Sequence, residues 1–185
     1  MGIFKKLYFK KKETIENFYP NGQPKEKGEL KYGEKEGLWE KFHDNGKLWK
    51  RHNYKNGKRD GLYEFYYIDG QLGCRGNFID GFGNGLWEYF DENGQLETRG
   101  NYKDGKENGL YETYYENGQL KLRENYKKGY LQYLQDGVWT ESFHENGQLR
   151  SRGNSKNTEE NGLWEYFDEN GNLIKTKEYK DGELV

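Results

Sequence analysis

The sequence contains few of the residues that crosslink or interrupt a compact fold. Among 185 residues there are one cysteine, one methionine and two prolines. The single cysteine, Cys74, excludes an intramolecular disulfide and a cysteine-rich metal site. No apolar run approaches the ~18 residues of a membrane-spanning helix, and the first residues lack the apolar segment of a secretory signal. These absences predict a cytoplasmic protein without a transmembrane segment.

The chain also lacks a large net charge. Its formal net charge is −2, whereas a nucleic-acid-binding domain is typically strongly basic, so no nucleic-acid partner is predicted. The first twelve residues nevertheless hold five lysines and no acid: Lys5, Lys6, Lys10, Lys11 and Lys12. We predict that residues 1–13 form a basic segment that caps the first structural unit. The alternative is that these lysines contact an anionic membrane surface.

A short glycine-containing phrase recurs along almost the whole chain. The phrase "ENGQL" and its variants place glycines at 22, 46, 70, 94, 118, 147 and 171, spaced by 24 residues except for one interval of 29. A second glycine opens "GLWE", "GLYE" or a related sequence at 37, 61, 85, 109, 137 and 162. Self-similarity at a fixed period is the signature of a repeat architecture. Residues 14–185 are therefore predicted to contain about six to seven repeat units.

Each unit has the pattern of a β-hairpin. The segments "LWEYF" (86–90) and "QLETRGNY" (95–102) are short, aromatic and alternating, as strands are. Between them lies Asn93-Gly94, a pair typical of a two-residue type I′ turn with positive φ at both positions. Further turn pairs such as Asp104-Gly105 separate the units. The sequence predicts an all-β, elongated array of consecutive hairpins, with about thirteen strands spanning ~60 Å.

One glutamate per unit is at odds with simple alternation. It shares its strand parity with apolar leucine and phenylalanine, for example Glu88 with Leu86 and Phe90. Pairing with the arginine of the second strand, such as Arg99, would offset part of the cost. Strict parity does not guarantee that meeting, and a bulge beside the glycine is one way to achieve it. The sequence leaves this Glu–Arg ladder open.

Two groups of apolar residues are candidates for binding a partner. The first contains one aromatic residue per unit, which would line up on one face: Trp39, Tyr63, Trp87, Tyr111, Trp139 and Trp164. These residues are interpreted either as a packing core or as a contact stripe. The second group lies in the longer connection "YLQYLQD" and contains Tyr130, Leu131, Tyr133 and Leu134. It is either an exposed contact patch or an insertion without function.

No catalytic constellation is found in the sequence. His43 and His144 both precede turns, but in different units, and no P-loop pattern is present. The glutamates recur once per unit, whereas acid–base catalysis needs one unusual pair. We therefore predict a protein that is not an enzyme, with no cofactor, no metal and no catalytic residues.

These units, "GNYKDGKENGLYETYYENGQL" most clearly, resemble MORN repeats, in particular their bacterial variant form. The resemblance covers residues from about 14 to 183. It implies a single-layer twisted antiparallel sheet of consecutive hairpins that serves as an interaction or scaffolding module. Bacterial proteins built from this variant are often labelled antitoxins of the YwqK type, which implies a protein partner, namely a co-encoded toxin.

Two other functions remain as hypotheses. One is a peripheral membrane adaptor that contacts anionic lipid. The other is a glycan-binding surface protein, against which the missing secretion signal counts. The sequence names neither the partner nor the binding face, and it does not fix the oligomeric state.

Overall fold

The computed structural model describes residues 11–127, 130–131, 138–156 and 159–185. Within these ranges the chain forms sixteen strands and no helix. The strands are β1 (Glu13–Phe18), β2 (Pro24–Lys31), β3 (Glu34–Phe42), β4 (Leu48–Lys55), β5 (Lys58–Tyr66), β6 (Leu72–Ile79), β7 (Phe82–Phe90), β8 (Leu96–Lys103), β9 (Lys106–Tyr114), β10 (Leu120–Lys127), β11 (Tyr130–Leu131), β12 (Val138–Phe143), β13 (Leu149–Lys156), β14 (Glu159–Phe167), β15 (Leu173–Lys180) and β16 (Glu183–Leu184).

The strands form one open sheet in which each strand neighbours the next along the chain. All pairs are antiparallel, and only β11 lies off the path, paired with the end of β10. The prediction of an all-β, elongated single-layer sheet of consecutive hairpins is confirmed. The predicted boundary between a cap segment and the repeats stays a prediction, because residues 1–10 lie outside the described ranges.

The two kinds of turn differ, and the prediction for one of them was wrong. Asp104 and Gly105, between β8 and β9, both have positive φ (53° and 78°), as a type I′ turn requires. In the "DENG" turn between β7 and β8 only Gly94 has positive φ (79°). There the Gly94 amide donates to the Asp91 carbonyl at 3.0 Å, and the Asp91 amide donates to the Gln95 carbonyl. This is a wider turn with a glycine bulge, which the same dipeptide also suits.

The asparagine of this wider turn joins neighbouring units. Asn117 Oδ1 accepts a hydrogen bond from the Gln119 amide at 2.9 Å, while its Nδ2 donates to the Glu145 carbonyl of the next unit at 2.7 Å. Asn21, Asn45 and Asn146 make the same pair of bonds. His144, just before its turn, also reaches the next unit, with Nε2 3.0 Å from the Phe167 carbonyl oxygen. The turn side chains therefore connect consecutive hairpins.

The core is a row of aromatic rings, most of which lie on a glycine of the preceding strand. Trp39, Trp87 and Trp164 are only 4–7% exposed. A Cβ placed on Gly76 would lie 2.2 Å from the Trp87 ring, and similar approaches join Gly28 to Trp39, Gly100 to Tyr111 and Gly153 to Trp164. Glycine is therefore required at these positions by the close approach of the ring, not by its backbone conformation.

Trp139 does not belong to this row, contrary to the prediction. In the β12–β13 register Thr140 lies opposite Gly153 and Trp139 opposite Asn154. Thr140 thus occupies the place that Trp164 takes on the other side of Gly153 in β14. A shift of one residue moves a side chain to the opposite face of a strand. Trp139 accordingly points away from the aromatic row and is 51% exposed.

The aromatic row is interrupted at the same place. Where other units have glycine, β10 carries Glu124, and Thr140 stands where the ring is expected. Among the described residues, Leu122 pairs with Ser142 and Arg123 with Glu141 between β10 and β12, and the end of β10 pairs with β11. Hydroxyl groups replace rings nearby, with Ser142 and Ser151 oxygens 2.6 Å apart. In the described sheet this junction therefore lacks the glycine–aromatic contact that most other units have.

Candidate interaction surface

The two faces of the sheet carry different side chains. We call the face with Trp39, Tyr63, Trp87, Tyr111 and Trp164 the aromatic face. We call the opposite face, which carries the alternating glutamates and arginines, the ladder face. Because the sheet has one layer, each face is a potential binding surface.

On the ladder face the Glu–Arg ladder left open by the sequence is present. Cross-strand pairs alternate from Lys27–Glu40 through Arg51, Glu64, Arg75, Glu88, Arg99, Glu112, Arg123, Glu141 and Arg152 to Glu165. The bulge that permits it contains the expected glycine, such as Gly85 with φ 76°. The bulge realigns the two strands, so that the ladder continues from one hairpin to the next.

Within the ladder the carboxylates are buried deeper than the guanidinium groups. Glu112 is 2% exposed and accepts hydrogen bonds from Arg99, Arg123 and the Tyr114 hydroxyl. Burial raises the pKa of Glu112, but these hydrogen bonds outweigh it and hold the pKa below its ordinary value. The ladder arginines are 36–50% exposed, so this face presents cationic groups outward.

A row of exposed leucines runs beside the ladder. Each leucine precedes the aromatic residue of its strand and lies on the ladder face: Leu38, Leu62, Leu86, Leu110 and Leu163, at 38–59% exposure. Trp139 joins this row because of its shifted register. Neighbouring strands are ~4.8 Å apart and one leucine occurs every second strand, so the row repeats roughly every 9.6 Å.

The aromatic face contains a groove of about 450 Å³ in its N-terminal half. Its lining is mostly aromatic and includes Tyr63, Phe65, Phe78, Trp87 and Tyr89, with Arg59 and Glu97 as charged residues. Cys74 also lines it and is 7% exposed, and burial raises the pKa of its thiol to about 11. We therefore expect the thiol to be protonated at neutral pH and slow to react in the folded protein.

Positive charge borders this groove. Lys50 lies directly opposite Lys41 on one side and Phe65 on the other. Arg59 places its guanidinium carbon 5.2 Å from the Phe78 ring centroid. In the part of the chain that the structure describes, neither Lys50 nor Arg59 has a carboxylate within ion-pair distance. Lys50 and Lys41 are directly opposed like charges, which destabilise a sheet, although Lys41 also lies 3.5 Å from Glu26.

A buried histidine lies between the two cations. His52 replaces the glycine of other units, is 6% exposed, and packs its ring 4.7 Å from that of Tyr63. Burial, followed by the positive charges of Arg59, Lys50, Lys35 and Lys41, lowers the pKa of His52 from 6.5 to about 4. Sequence reasoning missed His52, Lys50 and Arg59 as a group. The available signal was that His52 replaces the glycine of most units and that Lys50 stands where most units have a neutral residue; Arg59 gave no such signal, since Lys35, Glu107 and Glu160 occupy its equivalent positions.

The other predicted site residues are distributed as follows. Tyr130 and Leu131 form β11 and pair with Tyr126 and Lys127 of β10, whereas Tyr133 and Leu134 lie outside the described residues. Lys11 and Lys12 are exposed, with Lys12 Nζ 2.9 Å from Glu29, whereas Lys5, Lys6 and Lys10 lie outside the described ranges. The partner and membrane roles of all these residues stay predictions. Trp39, Trp87 and Trp164 are 4–7% exposed, and of these three Trp87 lines the groove.

The described residues were also searched for a metal-ligand cluster and for a membrane-spanning helix. Among the described residues, no three histidine, cysteine or carboxylate side chains are grouped as metal ligands would be. A search of the same residues for a helix with the length and apolarity to cross a membrane gave none.

Comparison with known families agrees with the repeat seen in the structure. The model of the MORN repeat variant matches residues 14–32, 35–56, 84–104, 107–128, 135–157 and 160–181. The interval 57–83 is unmatched, yet β5 and β6 within it pair as the other hairpins do. A search of curated proteins found no match. Since the matches cover well over half of the chain, this protein belongs to the MORN repeat family, in its variant form.

Proposed function

We propose that this protein is a non-catalytic protein-binding module that acts in the cytoplasm and neutralises a co-encoded toxin by covering part of its surface. The observation that carries the proposal is the leucine row, whose five members are 38–59% exposed on one face. A regular row of exposed apolar side chains on one face is a candidate surface for a partner, and arginine is enriched in protein interfaces. The family supports the coarser part, since MORN repeats are in general protein- or membrane-interaction modules.

The proposal is tested by co-purification with the product of a neighbouring gene. We expect a stoichiometric complex and rescue of growth when the two proteins are expressed together. Changing Leu86→Asp with Leu110→Asp is expected to weaken the complex by about tenfold or more, as loss of interface anchors does. Both leucines are exposed (46% and 41%), so the fold should persist by circular dichroism.

The matched control changes two exposed apolar residues outside the row, Leu173→Asp and Ile174→Asp, at 53% and 63% exposure. These substitutions should leave the complex intact. Recovery of the chain alone, with no toxin gene nearby, would argue against the antitoxin role. Equal effects of the two double variants would argue against the leucine row as the contact.

The alternative function is a peripheral membrane adaptor. The feature that favours it is the basic N-terminal segment, residues 1–13 (the basic head). Of its lysines, Lys11 and Lys12 belong to the described residues and are exposed. Flotation with vesicles that contain anionic lipid, comparing the full chain with one lacking residues 1–12, tests this function. We expect the deletion to reduce binding if the head contacts lipid. Equal flotation of the two chains would exclude a role for the head.

A further inference from the structure

We infer that the groove on the aromatic face is a second binding site, which accepts an acidic peptide segment carrying an aromatic side chain. The groove lies on the face opposite the leucine row, because adjacent residues of a strand such as Leu86 and Trp87 point to opposite faces. The inference therefore goes beyond the proposed function, and either one can fail without the other.

The shape and lining of the groove suit an aromatic ligand. A volume of about 450 Å³ with walls from Tyr63, Phe65, Phe78, Trp87 and Tyr89 suits one aromatic side chain and its neighbours. The Phe78 and Trp87 rings cross at 88° with centroids 5.1 Å apart. These two rings therefore form a fixed corner, against which another ring packs edge to face.

One side of the groove is positively charged. Arg59 lines the groove and lies over Phe78, and Lys50 lies beside the groove, opposite Phe65, with its Nζ 3.7 Å from the Trp49 ring centroid. Both cations are without a carboxylate partner among the described residues, and Lys50 also faces Lys41. The neighbouring Lys35 and Lys41 differ, since both bind Glu26, at 2.9 and 3.5 Å. Carboxylates supplied by a ligand would relieve the repulsion at Lys50 and Arg59.

The charges around the groove also set the orientation of a bound ligand. Glu97 is the only acidic residue of the groove lining, and it belongs to β8, whereas Lys50 and Arg59 belong to β4 and β5. A ligand bound with its acidic groups toward β4 and β5 and its ring over Trp87 would pair with the cations and keep its carboxylates away from Glu97. A cationic ligand would meet Lys50 and Arg59 unfavourably. The chemistry therefore selects an acidic rather than a basic aromatic segment.

The site can be tested with short peptides and the full chain. The probe is N-acetyl-Glu-Phe-Glu-amide, and its controls are the Gln-Phe-Gln and Glu-Ala-Glu peptides. Binding is followed through the indole N–H signals in ¹H–¹⁵N spectra. Trp49 and Trp87 flank the cations and the groove, and Trp164 in a distant unit serves as reference. We expect saturable shifts of Trp49 and Trp87 at millimolar concentration, about −4 kcal/mol, and much weaker shifts with either control peptide.

Two matched double variants locate the site. Lys50→Gln with Arg59→Gln should lower the affinity for the probe about tenfold, since exposed charge pairs contribute modestly and two are lost. Lys55→Gln with Lys58→Gln removes the same charge from the same strands at the turn, and should change the affinity less than about twofold.

Three results would overturn the inference. They are equal binding of the three peptides, equal loss in the two double variants, and no shift up to about 10 mM probe. A fourth arm uses phosphatidylglycerol vesicles. Vesicle binding that depends on Lys50 and Arg59, without peptide binding, would assign the cations to lipid and refute the peptide site.

Discussion

The close approach of Gly76 to Trp87 makes Gly76→Ala the most informative stability test. A Cβ at position 76 would lie 2.2 Å from the indole ring, whereas carbon atoms in contact prefer ~3.5–4.0 Å. The ring, which is 7% exposed, must therefore move by more than an ångström. Gly28, Gly100 and Gly153 approach their rings in the same way, so the result applies to most units.

The expected cost lies between two limits. Overpacking a core typically costs about 1–3 kcal/mol, and complete loss of a buried tryptophan costs about 3–5 kcal/mol. Replacing a strand glycine by alanine returns roughly 0.5–1 kcal/mol of backbone entropy. We expect Gly76→Ala to lower the free energy of unfolding by about 2–3 kcal/mol, measured by urea denaturation with circular dichroism and tryptophan fluorescence.

Gly83→Ala is the matched control. Its Cβ would approach the same indole, but at 3.3 Å from Nε1, and neither glycine has positive φ. We expect a change within about 0.5 kcal/mol. In a double-mutant cycle, Trp87→Leu should absorb part of the cost of Gly76→Ala. If Gly76→Ala costs no more than Gly83→Ala, the glycine–aromatic contact does not set the stability, and the reasoning is refuted.

Three further predictions concern single side chains. Because the folded pKa of His52 is depressed to about 4, its unfolded form gains a proton first as the pH falls. The free energy of unfolding should then decrease between about pH 6.5 and 4, by roughly 1–2 kcal/mol after allowance for solvent screening. The variant His52→Gly should lack this part of the pH dependence when unfolding is measured as a function of pH. Asn117→Asp keeps the turn acceptor but loses the donor to the Glu145 carbonyl, and should cost about 1 kcal/mol in thermal or urea unfolding, whereas Asn93→Asp should be nearly neutral. Cys74, buried and with a raised pKa, should react with a thiol reagent at pH 8 only on unfolding; rapid labelling of the native protein would contradict its burial.

The sequence predicted the strand pattern because the repeat supplies the same turn signal many times. It did not predict the turn geometry, since Asn93-Gly94 suits both a type I′ turn and a wider turn with a glycine bulge. It placed Trp139 on the wrong face of the sheet, because aligning the repeats by residue identity does not reveal the strand register. The register is seen in the pairing of Arg152 with Glu141. The bulges that realign the Glu–Arg ladder depend on backbone geometry, which alternation alone does not describe.

The charged groove was missed for a different reason. Lys50 and Arg59 are nine residues apart and are unremarkable in a chain that is 34% charged. Only the pairing of β4 with β5, and of β5 with β6, brings them to one side of the groove. Departures from a repeat consensus identify such positions as candidates, but the sheet register is needed to show that two of them are neighbours.

The junction between β10 and β12 has a consequence for how the array loses its structure. The aromatic row stops there, because Glu124 and Thr140 occupy the places of a glycine and a ring, while the ladder continues through Arg123 and Glu141. In a repeat array, stability is roughly the sum of unit terms and nearest-neighbour terms. We expect the missing glycine–aromatic contact to weaken this neighbour term and to divide the array into two cooperative blocks, β1–β10 and β12–β16. Amide hydrogen exchange should show two protection levels that change near Thr140, so that one block can open while the other remains folded.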